Sequence, residues 1–231
     1  MSKHFLIVGA TSGIGAALLG QLVERGHRVT QLSRHPDQAP EHPAVSSLRW
    51  DACTEPFPSA ALPAALDGLV YCPGTIRLRP FERLTDAEWQ EDLDINLLGA
   101  VRAIRGALKA LRQAQSASIV LFSSVAAGTG LPFHASIAAA KGAVEGMTRA
   151  LAAELAPRIR VNALAPTVTD TALAQRLLGT PEKRAAAAER HPLKTIGTPD
   201  DIARAALWLL EDARLTTGQV LNLDGGLATI R

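Results

Sequence analysis

The sequence holds only two cysteines, Cys53 and Cys72, among 231 residues, and neither belongs to a Cys-x-x-Cys or Cys/His spacing. A disulfide framework and a structural zinc site are excluded on that ground, no metal is expected, and a reducing compartment fits best. Long apolar runs are missing too. Phe5 to Val8 follows Lys3 as the core of a signal peptide would follow its basic start, but it ends at once in Gly9-Ala10-Thr11-Ser12-Gly13. No segment approaches the roughly 18 to 20 consecutive apolar residues that span a bilayer, so no membrane partner is expected and the protein reads as cytoplasmic. Charge of one sign is equally scarce: 24 basic and 22 acidic residues give a formal +2 with no long run of either. A nucleic-acid binder needs a basic stripe to track phosphates, which excludes nucleic acid as a partner.

What is present is 47% hydrophobic residues, enough to bury a sizeable core in one domain spanning 1–231. Short β-rich runs (Phe5 to Val8, Arg28 to Leu32, Leu48 to Trp50, Leu69 to Tyr71) alternate with longer helical patterns, the first from Ile14 to Arg25. Such alternation builds βαβ units and predicts a doubly wound Rossmann domain of the α/β class, a parallel sheet with helices on both faces. Thr85 to Glu88 has capping-box spacing and opens a helical pattern through Trp89, Leu93, Leu97, Val101, Ile104 and Leu108. Ser118 to Phe122 reads as a buried strand, Ala135 to Leu155 as a second long helix, and Arg160 to Leu164 as another strand. Pro166 to Thr195 has no strand pattern and reads as a helical excursion on a mobile loop, the substrate lid. Thr198 then caps a helix with Pro199 at its first position, and Gln219 to Leu223 closes the sheet.

Gly9, Gly13 and Gly15 stand between the first strand and the first helix, spaced Gly-x-x-x-Gly-x-Gly. Glycine lets the backbone turn sharply and approach a diphosphate, while free N–H groups at the helix N-terminus face its negative charge. The same spacing also occurs in tight connections without a ligand, but the strand-turn-helix context favours phosphate. After the second strand an NAD-preferring site would place an acidic residue on the ribose hydroxyls. This sequence has Leu32-Ser33-Arg34-His35 instead, a hydroxyl and a guanidinium suited to the 2′-phosphate of NADP(H).

With the glycine turn, Asn96 in Asp94-Ile95-Asn96-Leu97-Leu98-Gly99, Ser123-Ser124 ending a strand and Lys141 on the next long helix, the chain resembles the short-chain dehydrogenase/reductase family. The resemblance continues through Arg160 to Pro166, Thr171 and the closing Thr217 to Gly226. It implies a cofactor groove built by Gly9, Thr11, Ser12, Gly13, Ile14 and Gly15 in the turn, and by Ser33 and Arg34 beyond it. Asp51 and Ala52 would meet the adenine, Gly74 would line the groove, and Lys141 would hold the nicotinamide ribose. Val168 and Thr171 would bracket the carboxamide, with Pro166 beside them. Ser124 would polarise a substrate carbonyl and Asn96 would organise a water-linked proton path. The resemblance also implies a homo-oligomer, a tetramer or dimer, paired through the helices of Asp86 to Leu111 and Ala135 to Leu155, where the small residues Ala138 to Ala140, Gly142, Ala143 and Gly146 permit close packing.

The chain departs from the family where chemistry is concerned. The tyrosine of the family's Tyr-x-x-x-Lys motif is Ile137 here, and isoleucine cannot protonate an alkoxide. The Asn-Asn-Ala-Gly motif is altered to Tyr71-Cys72-Pro73-Gly74. Candidates to replace the hydroxyl are His134, two helical turns before Lys141 and with a pKa suited to neutrality, Tyr71 at a strand end, and Ser136, which helical geometry disfavours. Three functions compete: NADPH-dependent reduction of a small carbonyl substrate, a dinucleotide-binding sensor or scaffold without catalysis, and reduction of an activated double bond or iminium, where solvent supplies the proton.

Overall fold

The computed structural model describes residues 2–230. Seven strands form one sheet in the order β3-β2-β1-β4-β5-β6-β7, every pair parallel. They are β1 (His4–Val8), β2 (Arg28–Ser33), β3 (Val45–Arg49), β4 (Gly68–Tyr71), β5 (Ala117–Phe122), β6 (Ile159–Pro166) and β7 (Val220–Leu223). The helices are α1 (Gly13–Glu24), α2 (Asp86–Leu93), α3 (Gly99–Leu111), α4 (Val125–Gly128), α5 (Ala135–Leu155), α6 (Gln175–Leu178), α7 (Pro181–Glu189) and α8 (Pro199–Glu211). Two readings shift in detail. The third strand runs Val45–Arg49 rather than Leu48 to Trp50; Trp50 closes the ladder with its backbone N–H on the Ser33 carbonyl at 2.9 Å and buries its indole, whose N–H donates to the Glu55 carbonyl at 3.1 Å. The helix of Asp86 to Leu111 is not continuous: residues Asp94–Leu98 form a widened π turn between α2 and α3.

A sheet covered on both sides needs strands that are apolar on both faces, and these strands show it. Phe5, Ile7, Val70, Val120 and Phe122 pack with α1 and α8, while Leu6, Val8, Leu69, Tyr71, Ile119 and Leu121 pack with α3 and α5. Period-two alternation thus sorts neighbouring residues into two separate cores. Helix ends are satisfied locally. Thr85 and Glu88 close the capping box, Thr198 accepts from the Asp201 N–H, and Arg160 donates to the Leu209, Leu210 and Ala213 carbonyls at the C-terminal end of α8.

The chain order reverses between β1 and β4: β2 and β3 lie on one side, β5 to β7 on the other. Loops leaving the carboxyl ends of β1 and β4 diverge there and open a crevice, the place where doubly wound sheets bind ligands. No helix among the described residues is long and apolar enough to cross a membrane.

Candidate active site

The crevice is a cavity of about 710 Å³ lined by the first turn, the end of β2, the loops after β3 and β4, and Thr171 to Leu173 beyond β6. At its floor, Gly9 has φ +82°, and a Cβ on Gly15 would lie 2.1 Å from the Gly9 carbonyl oxygen. Any side chain at either position would break the turn. Ser12 is the N-cap of α1, yet its side chain makes no capping bond, so the helix N-terminus is left open towards the cavity. Thr11, Ser12, Gly13, Ile14 and Gly15 all line the wall, which is the geometry a diphosphate requires.

Beyond β2, Ser33 and Arg34 both line the cavity. Ser33 is 8% exposed and its hydroxyl has no hydrogen-bond partner among the described residues. Buried hydroxyls are ordinarily satisfied, so this one marks a place for a ligand atom. Arg34 is exposed and forms no ion pair among the described residues. Asp51 and Ala52 line the same end, with one Asp51 carboxylate oxygen accepting the Cys53 N–H at 2.8 Å. These residues fit a nicotinamide dinucleotide: an open helix end for the diphosphate, and a free hydroxyl and guanidinium at the far end.

The opposite end is built around Gly74 and Thr75. A Cβ on Gly74 would lie 3.2 Å from Asn96 Oδ1 and 3.6 Å from Lys141 Nζ, so both groups flank that backbone. Lys141 is buried and donates to the Phe122 carbonyl at 2.9 Å. Desolvation pulls its pKa from the ordinary 10.5 down to about 8. The neighbouring Cys72 thiol is pushed up to about 12 by burial, against the pull of Lys141. The Asn96 amide donates to Thr75 Oγ1 and to the Asp92 carbonyl, both at 2.8 Å. Ser124 caps α4, its oxygen accepting the Ala126 N–H at 3.2 Å.

Sequence reading missed a buried carboxylate here. Asp92 is fully buried and accepts from Thr75 Oγ1 and Ser136 Oγ, each at 2.6 Å, with Arg77 Nε 3.7 Å away. The one available signal was its position four residues before Asn96, on the same helical face. Glu91, Ile95, Ala172 and Leu173, which also line the cavity, carried no signal of their own.

Of the residues expected to replace the tyrosine, two are committed elsewhere. Tyr71 reaches the cavity wall, but its hydroxyl donates to the Ile95 carbonyl at 2.7 Å in the space left by Gly99, and burial raises its pKa above the usual phenol range. Ser136 is spent on Asp92, in keeping with the helical argument against it. His134 is half-buried at the start of α5 and pairs through Nδ1 with the Pro132 carbonyl at 2.7 Å. The carbonyl can only accept, so Nδ1 carries the hydrogen and Nε2 is left as an acceptor in the neutral ring. Ile137 is 5% exposed and apolar.

Thr171 closes over the turn: a Cβ on Gly13 would meet its methyl at 3.2 Å. Pro166 and Val168 stand at the end of β6 and just beyond it and do not line the cavity. The helical stretch that follows is tied to this segment. Arg184 on α7 pairs with both oxygens of Asp170 at 2.6 and 2.7 Å, and buried His191 bonds Thr167 Oγ1 at 2.7 Å.

Residues 58–228 match a family model described as enoyl-(acyl carrier protein) reductase. The chain is 33% identical to 2-(S)-hydroxypropyl-CoM dehydrogenase 3 of Xanthobacter autotrophicus, over 97% of this chain and 96% of that protein. It is 34% identical to a protein of the same organism named inactive 2-(S)-hydroxypropyl-CoM dehydrogenase 2, over 80% of this chain and 88% of the other. Among solved structures, the ligand-free aldohexose dehydrogenase of Thermoplasma acidophilum is similar with a TM-score of 0.91 and 29% identity, covering 100% of this chain and 95% of that one.

Proposed function

The chain belongs to the short-chain dehydrogenase/reductase family of oxidoreductases, and from that premise we propose that it binds NADP(H) in preference to NAD(H) and reduces a small carbonyl compound. The observation that carries the nucleotide preference is the pair Ser33 and Arg34: an unsatisfied buried hydroxyl and an unpaired guanidinium, both lining the cavity. An adenosine 2′-phosphate supplies acceptors for both, whereas a ribose hydroxyl leaves the guanidinium without an anion.

When bound, the reduced nicotinamide supplies a hydride to the substrate carbon. Ser124 is the group that polarises the carbonyl: its oxygen already accepts the Ala126 N–H, which leaves the O–H free to donate. Lys141 holds the ribose with its remaining N–H donors. Asn96 serves the site mainly by shape, because its side chain is engaged by Thr75 and Asp92 and keeps little capacity for water. His134 is held through Nδ1 by the Pro132 carbonyl and is the alternative proton carrier, with Nε2 as the nitrogen left to exchange a proton.

A second reading, a dinucleotide-binding protein without turnover, is favoured by one observation: the family's acid is an isoleucine packed out of solvent. A turnover screen with NADPH against carbonyl and enone panels separates the two. Independently of turnover, fluorescence titration is expected to show NADPH bound at least tenfold more tightly than NADH, a difference of about 1.4 kcal/mol, with Arg34→Ala abolishing it. Equal affinities in the parent would remove the role given to Arg34.

A further inference from the structure

We propose that Lys141 Nζ is itself the proton donor of this site, taking over chemically from the hydroxyl that Ile137 lacks. The inference rests on the oxidoreductase reading above. Four observations meet at this atom. Ile137 lies one helical turn before Lys141, so on α5 the two share a face, and the apolar side chain offers the ammonium neither an acceptor nor a proton to relay. Lys141 makes one hydrogen bond, to the Phe122 carbonyl, although an ammonium carries three donors. No carboxylate forms an ion pair with it among the described residues. And Nζ stands beside Gly74, which lines the cavity.

None of the groups named around it takes the role. From the end of β4 it faces the Cys72 thiol, which keeps its proton to about pH 12. From β5 it meets a carbonyl, and Ser123 next to that carbonyl is turned to Glu145 at 2.7 Å. From the widened turn it meets Asn96, which does not titrate, and on α2 the Asp92 carboxylate is occupied by Thr75 and Ser136. An ammonium buried without a counterion releases its proton more readily than an exposed one, in line with a pKa near 8. A general acid works best with its pKa close to the operating pH, which a lysine so placed approaches.

The step balances without a further reagent. As the carbonyl carbon gains a hydride, the π pair moves to oxygen. One N–H bond of Lys141 breaks, its electron pair stays on Nζ as a neutral amine, and the proton forms the O–H bond of the alcohol. Solvent then returns a proton to the amine. Reduction needs the charged form, so activity is present below the Lys141 pKa and is lost as pH rises through it.

The test joins two readouts. In ligand-free protein carrying ¹³Cε-lysine, with Lys141→Arg used for assignment, the Lys141 resonance is expected to titrate with a midpoint near 8, below the ordinary lysine value of 10.5. In the carbonyl screen, turnover is expected to fall across that same midpoint. Lys141→Arg keeps the charge but cannot release a proton near neutrality; NADPH affinity is expected to stay within tenfold while turnover drops at least 100-fold. A Lys141 signal that stays charged to pH 10 overturns the proposal even if the variant does not fold. Turnover whose pH profile ignores the Lys141 midpoint sinks the proposal and leaves the oxidoreductase reading standing. No turnover by the parent with any substrate sinks both.

Discussion

Ile137 decides how the site works, because it removes a hydroxyl and puts apolar volume in its place. Other expected parts are in place: Lys141 one turn along with Asn96 and Gly74 beside it, and Ser124 with a free O–H. Restoring a phenol beside a buried ammonium creates an acid whose pKa the neighbouring charge lowers. The replacement Ile137→Tyr is therefore expected to raise carbonyl reduction by about 10² to 10⁴, the usual worth of a positioned general acid. A tyrosine ring is larger than an isoleucine side chain and Ile137 is almost fully buried, so thermal melting and NADPH titration come first. A variant that folds and binds NADPH normally yet gains no activity would show that the vacant hydroxyl is not the sole lesion and would favour the binding-protein reading. If instead His134→Ala abolishes parental turnover while Ile137→Tyr changes little, the histidine is the acid and Lys141 is not.

At the scale of elements, Asp92 ties three separate pieces of chain together. It sits on α2, takes a hydroxyl from Thr75 in the loop after β4, and takes another from Ser136 in the first turn of α5. Two of these pieces line the reactive end of the cavity, the loop through Thr75 and α2 through Glu91. Removing the carboxylate strands two buried hydroxyls and deprives Arg77 Nε, already without a hydrogen bond, of its nearest oxygen. Asp92→Ala is expected to cost about 3 kcal/mol in urea unfolding, within the range for orphaned buried polar groups and broken buried charge pairs. Asp92→Asn keeps acceptors for one hydroxyl and is expected to cost about half as much. A loss under about 1 kcal/mol for the alanine variant would mean that the loop and helices hold their places without it.

For the whole molecule, α5 presents an exposed row of small residues, Ala139, Ala143, Gly146, Ala150 and Ala153, recurring at helical spacing. Ala140, one of the small residues expected at the pairing surface, does not belong to this face. It is fully buried, because α5 rests that side on the sheet. Small side chains let a second helix approach closely, and the family's oligomers pair through helices of this kind, so a homodimer or homotetramer is expected. Sedimentation at micromolar concentration is expected to give at least a dimer, and Gly146→Arg to shift it towards monomer; a monomeric parent would contradict the assignment.

The strand-turn-helix of the glycine motif, the caps at Thr85 and Thr198, the span of α5 and the Ser33-Arg34 pair were legible in the sequence. Each is local, set by steric freedom, helix periodicity or a side chain meeting its own backbone a few residues away. Even the gap at Ile137 is a local fact, since the spacing to Lys141 is one turn of helix. Tertiary structure decided the rest. That the only tyrosine turns its hydroxyl away into the space beside Gly99, and that Ser136 spends its own on Asp92, depends on partners 24 and 44 residues distant. That Lys141 is buried without a counterion depends on the ends of β4 and β5 and the widened turn closing around it. Hydrogen-bond partners and desolvation are properties of the packed whole, and the chemistry of a titrating group follows from them rather than from its neighbours in the chain.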